Sequence, residues 1–375
     1  MRFADIAGHN NVKEHLRALV DSDRVPHALL LSGPEGTGKL ALARALAQYM
    51  HCVSPVNGDS CGRCPSCVQH ASLNNADMHF VYPIVKSKQK HQLVSTDMAD
   101  AWRNFLSCGN YASWQRWLDI IDAGNSRPGI YVEESAEILR KLNISNFSAR
   151  YKVMVVWLPE KLQGEAANKL LKIIEEPFDD TKFIFVSNDP ASILPTILSR
   201  LQRVAVTRLS DDEIAAILVD TRGVDPQAAV QLAYISDGNA CTALDAVETA
   251  GEFDEFMELF QDIMRKAYMR DVKALRDNGD TVAAMGREKS LRFLAYCARM
   301  VRENFIYNLG RQDLVRLTGA EARFSSRFAP FINAANADDM MRLFDEAAAD
   351  ISRNANAKIV MFDTLLHLIV LILRK

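Results

Sequence analysis

The sequence predicts an α/β domain built on a parallel sheet over residues 1–207, a small helical domain over 208–255 and a larger helical domain over 256–375. Three observations carry this. Short apolar or β-branched runs alternate with helical patterns as far as about residue 207. A glycine-rich loop, Gly33–Lys39, stands between a predicted strand and a predicted helix. From about Leu209 the strand pattern ceases and helical periodicity continues to Lys375. A length of 375 residues suits two or three domains, each with its own core.

In chain order, "HALLLSG" at 27–33 reads as a buried strand that runs into the glycine loop, and "KLALARALAQYM" as the helix after it. "YKVMVVWL" at 151–158 and "KFIFVSN" at 182–188 are the next strands. Between them "GEAANKLLKIIEEP" is rich in helix formers and stops near Pro177. The segment from about 86 to 128 has weak periodicity and is read as an insertion of unassigned role. "SDDEIAAIL" opens with Ser210 as N-cap and Glu213 three positions on, the pattern of a capping box. Another helix starts at "DPQAAVQLAYIS", and breaks are expected near Gly238, around Gly251 and at "RDNGD", 276–280.

The formal charge is −3, so contact with nucleic acid requires a local basic surface. The run Ile359–Leu373 is interrupted by Asp363 and His367 and is too short to span a bilayer, so a buried helix and no membrane association are expected. The N-terminus lacks the apolar segment of a secretory signal, which predicts a cytoplasmic protein. No carboxylate set for nucleotidyl transfer is identifiable, so polymerase activity is not expected.

In a phosphate loop, backbone N–H groups point at phosphate oxygens, a lysine neutralises the terminal phosphates and the next Ser or Thr binds magnesium. Gly33, Gly36, Thr37, Gly38 and Lys39 supply the cradle, whereas Leu40 cannot bind the metal. A hydrolase also needs carboxylates at the end of a later strand. That strand ends in Trp157 and Leu158, and Glu160 could substitute only through a sharp turn after Pro159. A site without hydrolysis is therefore expected, with ATP or ADP binding left open. Ser187 and Asn188 lie where side chains can face a nucleotide.

Cys52, Cys61, Cys64 and Cys67 follow the spacing C-x8-C-x2-C-x2-C, which suits a closed tetrahedral zinc site with structural purpose. Disulfides are the alternative, disfavoured in a cytosolic chain. Cys108, Cys241 and Cys297 read as small core residues.

Taken together, these residues resemble the clamp-loader branch of the AAA+ proteins, the family of the bacterial DNA polymerase III loader subunits. "FADIAGHNNVKEHL", "RVPHALLLSGPEGTGK", the four cysteines, "EAANKLLKIIEEP" and "ILPTILSRLQ" carry the likeness, and "ISRNANAKIVMFDTLL" is similar to the family's collar helix. The resemblance implies an AAA+ core with a zinc module at 52–67, a helical lid and a collar for subunit association. It implies that Arg200, supported by Ser199, acts as an arginine finger in a neighbouring subunit's site. An active member would have Thr or Ser at 40, Asp-Glu at 157 and 158 and an arginine near 241; this chain has Leu40, Trp157, Leu158 and Cys241. That pattern implies a non-hydrolysing subunit that helps set a sliding clamp on primed DNA, with gamma/tau-like and delta-like subunits as partners. Lys169 and Lys172 become candidates for DNA phosphate contacts, whereas the basic stretch "KSKQKH" at 86–91 reads as a solvated loop. An active ATPase subunit and a zinc-based nucleic-acid-binding module are the competing readings.

Overall fold

The computed structural model describes all residues except 87–93, 125, 145–146, 148, 177–179, 249–251, 312–313, 318 and 375. The expected helix stop at Pro177, the break at Gly251 and all but Lys86 of the basic stretch before His91 lie outside the described residues. The chain divides into two compact units, Met1–Asp245 and Ala246–Lys375. The segment 208–255, expected as a separate lid, falls across that division, and its residues up to 245 belong to the first unit.

Five parallel strands form the sheet of the first unit: β1 (Ala28–Ser32), β2 (Met78–Val81), β3 (Lys152–Trp157), β4 (Thr181–Ser187) and β5 (Gln202–Ala205), in the order β2-β3-β4-β1-β5. α1 (Asn10–Asp21) precedes β1; the crossover connections that parallel neighbours need run largely through α2 (Lys39–His51), α3 (Pro65–Ala71), α4 (Ala99–Ser107), α5 (Trp114–Ile120), α6 (Val132–Leu142), α7 (Gly164–Glu175) and α8 (Pro195–Leu198). After the sheet come α9 (Asp211–Arg222), α10 (Pro226–Ser236) and α11 (Ala240–Glu248).

Successive strand residues point to opposite faces, and both faces are covered. Leu29, Leu31, Val153, Val155, Trp157, Ile184 and Val186 pack with Leu42 and Leu46 of α2. Leu30, Met154, Val156, Phe183 and Phe185 pack with Ile138 of α6 and Leu170 and Ile174 of α7. Burial on both sides is why the three central strands read as continuous apolar runs. The flanking strands were not legible: β5, "QRVA", buries only Val204, and β2, "MHFV", is largely half-buried.

The capping box is present, with the Glu213 N–H donating to Ser210 Oγ at 3.2 Å and the Ser210 N–H to Glu213 Oε2 at 2.8 Å. α10 ends as expected, with Asp237 and Gly238 both in the left-handed region.

The second unit contains α12 (Glu252–Met269), α13 (Val272–Ala284), α14 (Arg287–Asn308), α15 (Gly319–Phe328), α16 (Ala337–Ser352) and α17 (Ala357–Leu371) around a core that includes Phe260, Phe293, Met300, Met340, Phe344 and Leu365. The break expected at 276–280 does not occur, since α13 runs through it. Asn278 is buried and donates to Asp262 Oδ2 and accepts from Lys266 Nζ, each at 3.0 Å, and Gly279 lies against Leu365 and Phe362. Tertiary contacts thus override the local turn signal. In α17, Met361, Leu365 and Leu368 are buried but Ile359 and Val370 are 70% and 58% exposed, so the apolar run is covered on one side only. Among the described residues no helix is long and apolar enough to cross a membrane.

Phe260 is fully buried and meets Tyr296, Phe324 and Phe328 edge-on. Phe260→Ala is expected to destabilise the second unit by about 3–5 kcal/mol, which denaturant unfolding followed by circular dichroism would register as a lower midpoint for the helical signal.

Candidate functional site at the phosphate loop

The glycine loop joins β1 to α2, as the strand–loop–helix order requires. Gly33 donates its N–H to Ser187 O at 3.3 Å, and a Cβ there would stand 2.0 Å from Val206 O, so the backbone approach to the strand after it admits only glycine. Gly36 has φ +77°, and its carbonyl accepts from the Ala240 N–H at 3.1 Å. A Cβ at Gly36 would meet Asn239 Oδ1 at 1.8 Å, so the residues that open α11 lie directly on the loop.

Lys39 turns back on this loop. Its ammonium donates to Pro34 O and to Thr37 Oγ1, the latter at 3.3 Å, and Thr37 Oγ1 donates to Pro34 O at 3.1 Å. Burial pushes the Lys39 pKa down to about 8.

The insertion supplies what covers the cradle. Its described part forms α4 and α5, and the turn between them brings Tyr111 onto the loop, where a Cβ on Gly38 would stand 2.9 Å from the Tyr111 ring. Tyr111 is pinned at both ends: its hydroxyl accepts from the Ala7 N–H at 3.0 Å and its carbonyl accepts from Cys241 Sγ at 3.1 Å. Asn110 Nδ2 donates to Asp5 O at 2.7 Å, and the Trp114 N–H donates to Glu35 Oε1 at 2.5 Å. The space left among Gly36, Lys39, Leu40, Tyr111, Trp157 and Cys241 is about 30 Å³. Small-molecule pockets are usually about 300–1,000 Å³, so the remaining space is on the scale of a single water.

Trp157 anchors the insertion. Its ring lies 5.3 Å from Trp102, 5.0 Å from Phe105, 5.8 Å from Trp114 and 6.4 Å from Trp117, centroid to centroid. Such contacts contribute beyond area burial. The position that would carry a metal-binding carboxylate instead belongs to an aromatic core.

The sharp turn beyond β3 does form, which the sequence reading disfavoured. Leu158 adopts φ 56° and ψ 60°, a conformation costly for a side chain of this kind, and a short 3₁₀ turn follows over Pro159–Lys161. Glu160 is thereby brought to the end of β4, where its Oε1 accepts from the N–H groups of Asn188 at 3.0 Å and Asp189 at 3.2 Å. That carboxylate ties two strand ends together. Ser187 is fully buried, and its hydroxyl makes no hydrogen bond among the described residues, while Asn188 borders the small cavity.

Arg200 and Ser199 follow α8 on the surface. Arg200 pairs with Glu175 of α7, and its Nη1 donates to Thr196 O at 2.7 Å and to Ser199 Oγ at 3.3 Å. Its side chain remains 38% exposed. Lys169 and Lys172, three apart on α7, are exposed beside Leu139, Asn168 and Ile173 on a shallow groove.

The four cysteines converge from the end of α2, the following loop and the start of α3: Cys52 caps α2, Cys64 is the N-cap of α3 and Cys67 lies within it. All four are free, and their Sγ atoms lie within 4.8 Å of one another, with Cys61 and Cys67 at 4.0 Å. Tetrahedral zinc with Zn–S bonds of about 2.3 Å needs sulfurs about 3.8 Å apart, so this set can hold a metal ion with little adjustment. Backbone N–H groups of Cys61 and Cys64 each donate at 3.3 Å, to Cys52 Sγ and Cys61 Sγ respectively. Hydrogen bonds from the Arg63 amide, Ser54 and the Cys64 amide lower the Cys61 thiol to about 5, whereas burial raises Cys52 and Cys67. Cys241 and Cys297 are buried and Cys108 is partly so, in keeping with core roles.

Residues 8–210 match the family model described as DNA polymerase III, delta subunit. The chain belongs to that family. Among relatives of this delta-subunit family member, the DNA polymerase III subunit gamma/tau of Mycobacterium bovis is 29% identical over 216 residues, 58% of this chain and 30% of that protein. The subunit delta′ of Bacillus subtilis is 26% identical over 239 residues, 66% of this chain and 58% of that protein. The match thus spans less than two thirds of the length of either relative. A solved gamma-subunit-related protein from Thermotoga maritima aligns with TM-score 0.44 at 12% identity, over 96% of this chain and 99% of that one.

In this family member, sequence reasoning found the loop and the missing carboxylates but not Tyr111 or Asn239, the side chains that lie on the loop. The one signal available was the density of aromatics at Trp102, Phe105, Tyr111, Trp114 and Trp117, too many for a solvated insertion.

Proposed function

We propose that this chain is the non-hydrolysing, delta-prime-like subunit of a DNA polymerase III clamp loader, one that supplies Arg200 to a neighbouring subunit's ATP site. The observation that carries this reading is the closed phosphate loop: Tyr111 and Asn239 lie on the cradle and about 30 Å³ remains, bordered by Leu40 and Trp157, where the sequence of an active member is expected to have magnesium-binding side chains. ATP and ADP are therefore proposed to be absent from this site.

Arg200 is exposed, and an exposed ion pair such as Arg200–Glu175 is worth at most about 1 kcal/mol, so the guanidinium can leave Glu175 for a phosphate at little cost. In the neighbour's pocket it would stabilise charge developing on the γ-phosphate, with Ser199 supporting it. The Cys52, Cys61, Cys64 and Cys67 set is proposed to hold structural zinc. Gamma/tau-like and delta-like subunits are the proposed partners, with the sliding clamp and primed DNA reached through the complex. Lys169 and Lys172 are proposed to meet DNA phosphates.

The isolated chain with ATP and magnesium is expected to show no turnover above background and no saturable binding of a fluorescent ATP analogue. Turnover that disappears in Lys39→Ala would instead support an active ATPase subunit. DNA binding by the isolated chain that chelation abolishes, with subunit assembly spared, would support the zinc-based nucleic-acid module.

A further inference from the structure

The second unit holds a cavity of about 640 Å³, within the size range of binding pockets and about twenty times the space left at the phosphate loop. Its floor is apolar, with Met264 and Phe328 buried and Met257 beside them. Its rim carries Arg265 from α12 and Arg323 and Arg327 from α15, and among the described residues no acidic residue lines it. Arg323 and Arg327 are exposed, four apart on one helix face, and among the described residues neither forms an ion pair. Like charges at that spacing weaken a helix, so the chain retains an arrangement that costs stability. At the mouth, Tyr268 is 51% and Phe331 is 37% exposed.

An apolar floor under three guanidinium groups, of which Arg265 has Asp262 near it while Arg323 and Arg327 form no ion pair among the described residues, suits a ligand that is apolar at its centre and anionic at its edges. Methionine walls adapt to an inserted side chain, and arginine receives carboxylates in bidentate fashion. Nucleic acid matches this surface less well because bases need open aromatic faces. Here the rings face one another: Phe324 and Phe328 stack at 4.8 Å and 20°, Phe328 and Phe331 at 6.2 Å and 26°, and Tyr268 meets Phe331 edge-on at 5.1 Å.

We propose that this cavity docks an acidic segment of a partner protein, seating one aliphatic or aromatic side chain over Met264 and Phe328 and placing flanking carboxylates on Arg265, Arg323 and Arg327. The proposal stands apart from the assignment of Arg200 and of the phosphate loop.

The test uses the full chain and fluorescence anisotropy with a fluorescein-labelled peptide of about ten residues that alternates Glu with Leu and Phe. Saturable binding is expected, weakening as salt rises, with no binding of the counterpart in which Lys replaces Glu. The double variant Arg323→Glu, Arg327→Glu should bind at least about tenfold more weakly with an unchanged melting curve. Ala320→Phe, which fills the cavity and leaves the charges, should weaken binding as well. Failure to saturate by about 1 mM peptide, or equal affinity in the double variant, would overturn the proposal. So would binding of a labelled oligothymidylate that the double variant abolishes while the acidic peptide stays unbound.

Discussion

Replacing Arg200 by alanine is expected to lower ATP turnover by the assembled complex at the adjoining site by about 10³- to 10⁵-fold, the range seen when an arginine supplied in trans is removed from a nucleotide hydrolase. Assembly is expected to survive. Arg200 sits beyond the short helix α8 with its side chain 38% exposed, and among the described residues its side-chain partners are Glu175, Thr196 O and Ser199 Oγ, so truncation opens no cavity and strands no buried charge. Steady-state ATP hydrolysis by the reconstituted complex, alongside size-exclusion chromatography of the same sample, separates loss of catalysis from loss of assembly. Arg200→Lys should recover little, because a point charge does not reproduce the planar fork of the guanidinium.

Stripping the metal from the cysteine module is the second large effect. One zinc per chain is expected by elemental analysis, and none after Cys64→Ser with Cys67→Ser. Zinc binding to small structural modules is worth on the order of 10 kcal/mol, and the segment around Cys52–Cys67 has few alternative sources of stability. Val53 is 76% and Val56 is 47% exposed, and the main non-thiol anchors are polar: Gln48 Nε2 to Ser60 Oγ at 2.9 Å, the His51–His70 ring contact at 2.9 Å, and Asp59 accepting from the Phe3 and Ala4 N–H groups. A chelator is therefore expected to make the segment near Cys61 the first site of proteolysis while the sheet, with its cores on both faces, stays folded. Retention of protease resistance after complete metal loss would show that the metal is not what holds the segment folded.

The parts of the fold that announced themselves in the sequence are those where one residue's chemistry decides the local outcome. β1, β3 and β4 are apolar at nearly every position because both faces are buried, and Ser210 with Glu213 specifies a helix start within four residues. β2 and β5 were missed because a strand at the edge of a sheet has half its environment in solvent and so carries a mixed pattern. The break expected at "RDNGD" failed because the contacts that hold Asn278 and Gly279 come from α12 and α17, far away in sequence.

The candidate site divides in the same way. Leu40 and Trp157 were legible as departures because hydrolysis calls for other residue types there, and Cys241 because the family resemblance implies an arginine near that position. What those residues do instead was not legible. Trp157 packs against four aromatics of the insertion, and Cys241 bonds the carbonyl of Tyr111 across 130 positions. No local pattern announces that a turn near Tyr111 will lie on a glycine loop seventy residues earlier. Nor does one reveal that Arg200 is held by Glu175 in the free chain.

The central claim is that this chain serves another subunit's chemistry and not its own. ATP turnover by the assembled complex, measured side by side with Lys39→Ala and with Arg200→Ala in this chain, tests it most directly. The account predicts that Lys39→Ala leaves turnover unchanged, because its ammonium is buried against its own loop, and that Arg200→Ala suppresses the adjoining site. Suppression by Lys39→Ala with normal turnover in Arg200→Ala would contradict it.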